Sequence, residues 1–281
     1  MKPTLLAIAF AAPLLAAAQD LPQPSPKGRV EQIVGLTKVS VDYSRPSAKG
    51  RAIFGDLITM GQLWRLGANG CTTLSFDGPV AIGGVDQKIP AGTYSLFAEP
   101  MDGAWVFHLN KNIELWGTDG YKAEEDVAVW KAEVMDNEYT ETLTIGFDEV
   151  KDDKARVDVR WEKVRASFII DADATEQAMA NIKKAMAEKE IKASTYNRCA
   201  RYCVDKGVML PDALGWAQKA NGMEKEPKYW MLHTLALAQA ANGNYKEATV
   251  TAQQSMSLAR KDGDNGYVKL NETKINEWAG K

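Results

Sequence analysis

From Val39 to about Ile170 the chain alternates apolar and polar residues with a period of two. "VSVDYS" (Val39 to Ser44), "TYSLFAEP", "AWVFHLN", "DVAVWKAEV", "ETLTIGFDEV" and "ARVDVRWEKV" all follow that rhythm, which predicts strands with one wet face. Turn residues separate most of them: Asp77-Gly78-Pro79, Gly83-Gly84, Pro90-Ala91-Gly92, Asp102-Gly103 and Asp152-Asp153. Eight or nine short strands of this kind predict an antiparallel β-sandwich or jelly-roll-like domain. A parallel sheet buried on both faces would read as continuous apolar runs instead.

Past Ala174 the period changes to three and four, as a helical face requires. Helices are expected over Ala174 to Glu190, within "STYNRCARYCVDKG" and "DALGWAQKA", and over Asp264 to Ala279. The clearest stretch, Tyr229 to Ala259, holds a helix, an Asn242-Gly243-Asn244 turn and a second helix. Small residues at Ala236, Ala248, Ala252 and Ser255 would let that pair approach closely. Leu235-Ala236, Gly243, Tyr245, Ala248 and Ala252 stand at the spacing of a tetratricopeptide repeat, which this region resembles. Asp212 to Ala220 resembles a second, degenerate copy. The expected architecture is a β domain followed by an α-helical hairpin array.

The N-terminus is organised differently. Lys2 precedes an apolar run, Leu5 to Ala18, that ends in Ala16-Ala17-Ala18 before Gln19 and Asp20. This is the layout of a secretory signal peptide. As a helix it would reach only about 21 Å, short of a hydrocarbon core of roughly 30 Å. The expected organisation is a signal peptide at 1–18, a Pro-rich lead-in at 19–28, the β domain at 29–172 and the helical domain at 173–281. Cleavage near Ala18 would deliver a periplasmic or secreted protein. The full chain has 34 Lys and Arg against 37 Asp and Glu. Without Lys2 the balance is 33 to 37, a net charge of −4, and no basic field favours nucleic acid. Cys199 and Cys203, four apart on one helical face, read as small buried residues, since helical Cβ vectors suit a disulfide poorly. Cys71 is expected to be buried as well.

One stretch carries chemistry. "VDYSRPSAKGRAIFGDLITMGQLWRLGAN" (Val41 to Asn69) places Arg45, Lys49, Arg51 and Arg65 among Tyr43, Phe54 and Trp64. Guanidinium forks that grip oxygens beside aromatic faces would make a pocket for an anionic or sugar-like ligand. The same side chains could instead brace a long loop, through its carbonyls or through salt bridges to Asp42, Asp56 or Asp77. Together with "IPAGTYSLF" (Ile89 to Phe97) and "LWGTDGY" (Leu115 to Tyr121), the stretch resembles the bacterial domain-of-unknown-function family 2911 over roughly Pro24 to Ile170. Gly70 and Cys71 intervene before Thr72, a departure from that family's pattern, in which an acidic or polar residue and then Thr follow the Asn. The resemblance implies a β fold and export, and no established activity.

No Gly-x-Ser-x-Gly elbow, phosphate loop, His-Glu-x-x-His or Cys-x-x-Cys motif occurs. His108 reads as a hydrogen-bonded sheet residue and His233 as a groove or surface residue of a helix. The candidate ligand-binding residues are Tyr43, Arg45, Lys49, Arg51, Trp64, Arg65, Asn69, Trp116 and Tyr121, with no catalytic group, metal or cofactor assigned. These features lead to an exported soluble protein, a non-enzymatic module binding a ligand or a protein. A small-molecule or sugar-like ligand is expected at the β domain and a protein partner at the helical repeat; nucleic acid and membrane embedding are not expected. The alternative is a small hydrolase or carbohydrate-active enzyme with its site in the Tyr43–Asn69 loop.

Overall fold

A computed structural model describes residues 21–281. The expected signal peptide and its cleavage point lie outside the described residues. The described chain forms two compact units, one ending at Asp173 and one running from Ala174 to Lys281.

In the first unit the strands are β1 (Lys27–Val34), β2 (Thr37–Ser44), β3 (Thr73–Phe76), β4 (Ala81–Ile82), β5 (Gly92–Met101), β6 (Ala104–Asn110), β7 (Asp126–Lys151) and β8 (Lys154–Asp171). They make one antiparallel sheet in the order β1-β2-β3-β5-β6-β7-β8-β4. The alternation read from the sequence orients it: Trp105, Phe107 and Leu109 of β6 face the core, while Val106 and His108 between them do not.

The two stretches "DVAVWKAEV" and "ETLTIGFDEV" are one strand, not two. No Gly or Pro separates Val134 from Glu141, so nothing forces a turn. β7 pairs with β6 as far as Glu133 and with β8 from Val134 onward. Register shifts after Asp136 and Thr140 bend it there, as extra residues in a ladder do. This single long strand lets the sheet fold back on itself. Past β2, Ala48 N–H donates to Glu141 O at 2.8 Å and Leu143 N–H to Pro46 O at 2.9 Å. The layers of the domain are therefore two parts of one rolled sheet. Trp105, Trp161, Phe107, Leu96 and Leu143, each at most 2% exposed, fill the space between.

The second unit holds α1 (Thr175–Met186), α2 (Ala193–Lys206), α3 (Leu210–Met223), α4 (Tyr229–Ala241), α5 (Tyr245–Asp262) and α6 (Asn265–Trp278). Each helix from α2 to α6 packs on the next. Ala200, Ala213, Ala217, Ala236, Ala248 and Ala252 are fully buried, so small side chains set the distance between axes. Gly207 and Gly263 end α2 and α5 in the left-handed conformation, at φ 68° and 81°. Asp264 caps α6 by accepting from Tyr267 N–H at 3.0 Å.

His233 is buried, which corrects its reading as a groove or surface residue. Its Nδ1 lies 2.8 Å from Asn271 Oδ1, and the Asn271 amide donates to Ser255 Oγ (2.9 Å) and Tyr267 O (2.7 Å). Ser255 in turn donates to Tyr229 O at 2.7 Å. The helical period that placed His233 was right; the partner that covers it, Asn271 on α6, lies 38 residues downstream. Cys199 and Cys203 are free thiols. Burial pushes the Cys203 thiol up to about 11. Cys71 is half-buried rather than buried. No helix among the described residues is long and apolar enough to cross a membrane.

Candidate functional site

The chain leaving β2 becomes irregular at Pro46 and returns to the sheet at β3. Lys49, Leu66 and Asn69 hold positive φ of 51°, 54° and 59°, uncommon for residues with a side chain and most of all for leucine. Surrounding bonds impose it: Trp64 pairs both ways with Ala98 of β5 (2.7 and 2.9 Å), and Thr72 Oγ1 donates to Leu66 O at 2.7 Å. A Cβ on Gly67 would sit 2.9 Å from Ser44 O, so only glycine lets this turn lie so close to β2.

The motif side chains differ in what holds them. Tyr43, Arg45 and Arg51 are engaged by protein hydrogen bonds, although Tyr43 and Arg51 also reach cleft walls. The Tyr43 hydroxyl donates to Ile145 O and accepts from Ile145 N–H at 2.9 Å, tying β2 to β7. Arg45 donates to Leu143 O (3.2 Å) and Thr144 Oγ1 (3.0 Å). Arg51 donates to Ala48 O (2.9 Å) and Ser47 O (2.7 Å), closing its own turn. None of the motif arginines pairs with Asp42, Asp56 or Asp77; Asp42 pairs with Arg29 at 2.8 Å. Lys49 is exposed at the loop tip, where its backbone N–H donates to Glu141 Oε1 at 2.7 Å.

Trp64, Arg65, Asn69 and Trp116 line open space. A first cleft of about 460 Å³ is walled by Arg51, Gln62, Trp64, Arg65, Thr118 and Trp161, among others. The Trp64 ring stacks on Trp161 at 5.9 Å and 22°, and its indole N–H donates to Gly67 O at 3.3 Å. Arg65 has no side-chain hydrogen bond or ion pair among the described residues. Its guanidinium lies under the strap that carries Trp116. Gly117 has φ of 96°, and a Cβ there would be 2.9 Å from Arg65 Nη1. Among the described residues walling this cleft there is no Asp, Glu or His.

A second cleft of about 640 Å³ is lined by Lys27, Asp42, Tyr43, Asn69, Thr73 and Trp116, among others. Ser25 lines both clefts. Asn69 Nδ2 donates to Ser25 O and to Ser44 Oγ, each at 3.4 Å, and so fastens the lead-in segment between them. Trp116 is 71% exposed.

Tyr121 belongs to neither cleft. Its hydroxyl donates to Asp126 Oδ2 at 2.6 Å and lies 3.1 Å from His108 Nδ1. Burial, with the Asp126 carboxylate beside it, raises its pKa above the ordinary phenol range. Asp126 also meets His108 Nδ1 at 3.0 Å and accepts from Asn110 Nδ2 at 2.8 Å. His108 is thus a hydrogen-bonded sheet residue, as its alternating strand predicts. Gln62, Thr118 and Trp161 are wall residues that sequence reasoning missed. Trp161 carries no signal beyond a core position of β8, and the other two are single polar residues in loops. No group of three or more His, Cys, Asp or Glu among the described residues could hold a metal ion.

A rolled antiparallel sheet whose loops build two clefts, followed by an array of helices, defines the class of the protein. Residues 25–170 match the family described as "Protein of unknown function (DUF2911)". That span is just over half of the chain, and the chain belongs to this family. No curated protein and no solved structure is significantly similar to it.

Proposed function

We propose that the protein is a non-enzymatic binding protein that takes a small oxyanionic, sugar-like ligand in the Arg65 cleft. The observation that carries this reading is Arg65 itself, a guanidinium without a protein partner facing a cleft whose wall has no carboxylate. A planar cation of this kind is satisfied by a carboxylate, sulfate or phosphate in a forked geometry. The stacked Trp64 and Trp161 rings supply apolar wall, and Gln62 and Thr118 supply hydrogen-bonding groups, the usual make-up of a small-molecule site. A hydrolase would need a carboxylate or imidazole within reach of the reacting atoms. The wall of this cleft offers neither, so binding is the better reading.

Two further elements complete the proposal. Export follows from the Lys2 to Ala18 layout, and a mature N-terminus at Gln19 in the secreted or periplasmic fraction is its direct check. The helical unit is read as a tetratricopeptide-like array that receives a protein partner, supported by its small-residue seams and its Asn242-Gly243-Asn244 turn. The ligand test uses intrinsic Trp fluorescence of the purified full mature chain, titrated with galacturonate, sulfate and inorganic phosphate. A saturable change is expected with at least one of them, and Arg65→Met should weaken it by about tenfold or more. Absence of any saturable response to all three would sink the proposal.

A further inference from the structure

We infer that the two clefts are subsites for one extended ligand, an acidic oligosaccharide whose charged group enters the first and whose neighbouring sugar ring lies on Trp116 in the second. This inference rests on the oxyanion reading of the Arg65 cleft and extends it.

Four observations lead here. The clefts share a wall: Ser25 lines both, and the consecutive residues Trp116 and Gly117 line the second and the first. Successive Cα atoms are only about 3.8 Å apart, so a chain-like ligand crosses from one to the other over a single residue. The ridge between them is held in place by the Asn69 bond to Ser25 O. Second, Trp116 keeps 71% of its surface in solvent, whereas Trp64, Trp105, Trp130 and Trp161 of the same unit are buried. An indole left in water beside a polar cleft is an amphipathic platform on which the apolar face of a sugar ring stacks.

Third, the second cleft is furnished with hydroxyls and amides: Ser25, Ser44, Asn69, Thr73 and Gln23 all line it. Its one carboxylate, Asp42, is paired with Arg29, and Lys27 lines the same wall. The second cleft therefore presents hydrogen-bonding groups suited to ring hydroxyls, with Lys27 as its one uncompensated charge. Lys27 is a second cation without a side-chain partner among the described residues, so an acidic chain meets a positive group in each cleft. Fourth, Tyr43, Arg45 and Arg51 already hold the surrounding backbone through named bonds. Little ordering is left for the ligand to impose, which favours affinity. A carboxylated and a sulfated sugar offer the same oxyanion to Arg65, and the experiment separates them.

Isothermal titration of the full mature chain would use galacturonate, tetragalacturonate, a heparin-derived tetrasaccharide and the neutral tetramer cellotetraose. An acidic tetrasaccharide should bind about tenfold or more tightly than the monomer, and cellotetraose more weakly than either acidic tetramer. Trp116→Ala should lower affinity for an acidic tetramer several-fold more than affinity for the monomer, removing the gain from chain length; the residue is 71% exposed, so the fold survives the change. Arg65→Met should weaken every acidic ligand. Whether the carboxylated or the sulfated tetramer binds more tightly identifies the acid. Equal affinity for monomer and tetramers, or an unchanged length dependence in Trp116→Ala, overturns the two-subsite inference and leaves the Arg65 reading standing. If only inorganic sulfate or phosphate binds, and does so through Arg65, the inference fails and the oxyanion site survives. If neither sugars nor inorganic anions bind, both fall.

Discussion

The two units solve the problem of a core with opposite materials. The β unit fills its interior with large rings, Trp105, Trp161, Phe107 and Trp130, all nearly or wholly buried. The helical unit has alanine where the β unit has tryptophan: Ala200, Ala213, Ala217, Ala236, Ala248 and Ala252 are among its fully buried positions. Strands of one rolled sheet stand about 10 Å from the facing layer, and only long side chains span that gap. Helices that approach through small residues have no gap to fill. The lesson is that volume is limiting in opposite directions, and substitutions should reveal it.

The largest expected effect is therefore in the β unit. Trp105→Ala should cost about 3–5 kcal/mol, because the ring leaves a cavity that a hydrogen-bonded sheet cannot collapse. Urea unfolding followed by Trp fluorescence reads it. The mirror-image change, Ala252→Leu in α5, should cost about 1–3 kcal/mol by overpacking, read by far-UV circular dichroism. If Ala252→Leu were neutral, the helices would not be in close approach and the comparison would fail.

A smaller effect separates the units by pH. Burial pushes the His233 imidazole pKa below its ordinary value, so the folded helical unit takes up this proton at lower pH than the unfolded chain, whose imidazole titrates near pH ~6.5. The unfolded state then binds more protons, and stability falls as pH drops below that value. It is fully present above it. The urea midpoint of the helical signal should fall between pH 7.5 and 5.5, with a slope of at most about 1.4 kcal/mol per pH unit for one proton. A midpoint that does not move over this range contradicts the account. The smallest contrast lies within the motif. Arg45→Met should cost about 1–2 kcal/mol, since it leaves Leu143 O and Thr144 without their donor. Arg65→Met should stay within about 0.5 kcal/mol, because Arg65 has no protein partner to lose. Thermal melts of the two variants side by side decide it.

Alternation was enough to read β2, β5, β6 and β8, and the 3.6-residue period was enough to read the helices. The continuity of β7 was legible only in what Met135 to Thr140 lacks, namely Gly and Pro. β1 was partly hidden because its first residues follow the Pro-rich lead-in. The burial of His233 was not legible, since it depends on Asn271 of another helix. Brace and cleft could not be told apart within the motif for the same reason: Arg45 and Arg65 lie in similar local sequence, and they differ in what the distant chain brings to them. Leu143 and Thr144 reach Arg45, whereas nothing comparable reaches Arg65.

The closing contact between Pro46–Ala48 and Glu141–Leu143 also sets an order of events during synthesis. Bringing together segments nearly a hundred residues apart carries a loop-closure entropy that short hairpins do not, so this pairing is expected among the last to form. Trp161, which walls the first cleft, is translated later still. A nascent chain that has emerged through Tyr121 contains all nine candidate binding residues, but the β7 partners of Tyr43 and Arg45, and the Trp161 ring beside Trp64, have still to be made. The first cleft is complete only once β8 has been made and has supplied Trp161. Ligand occupancy would then be a report that the whole β unit has folded.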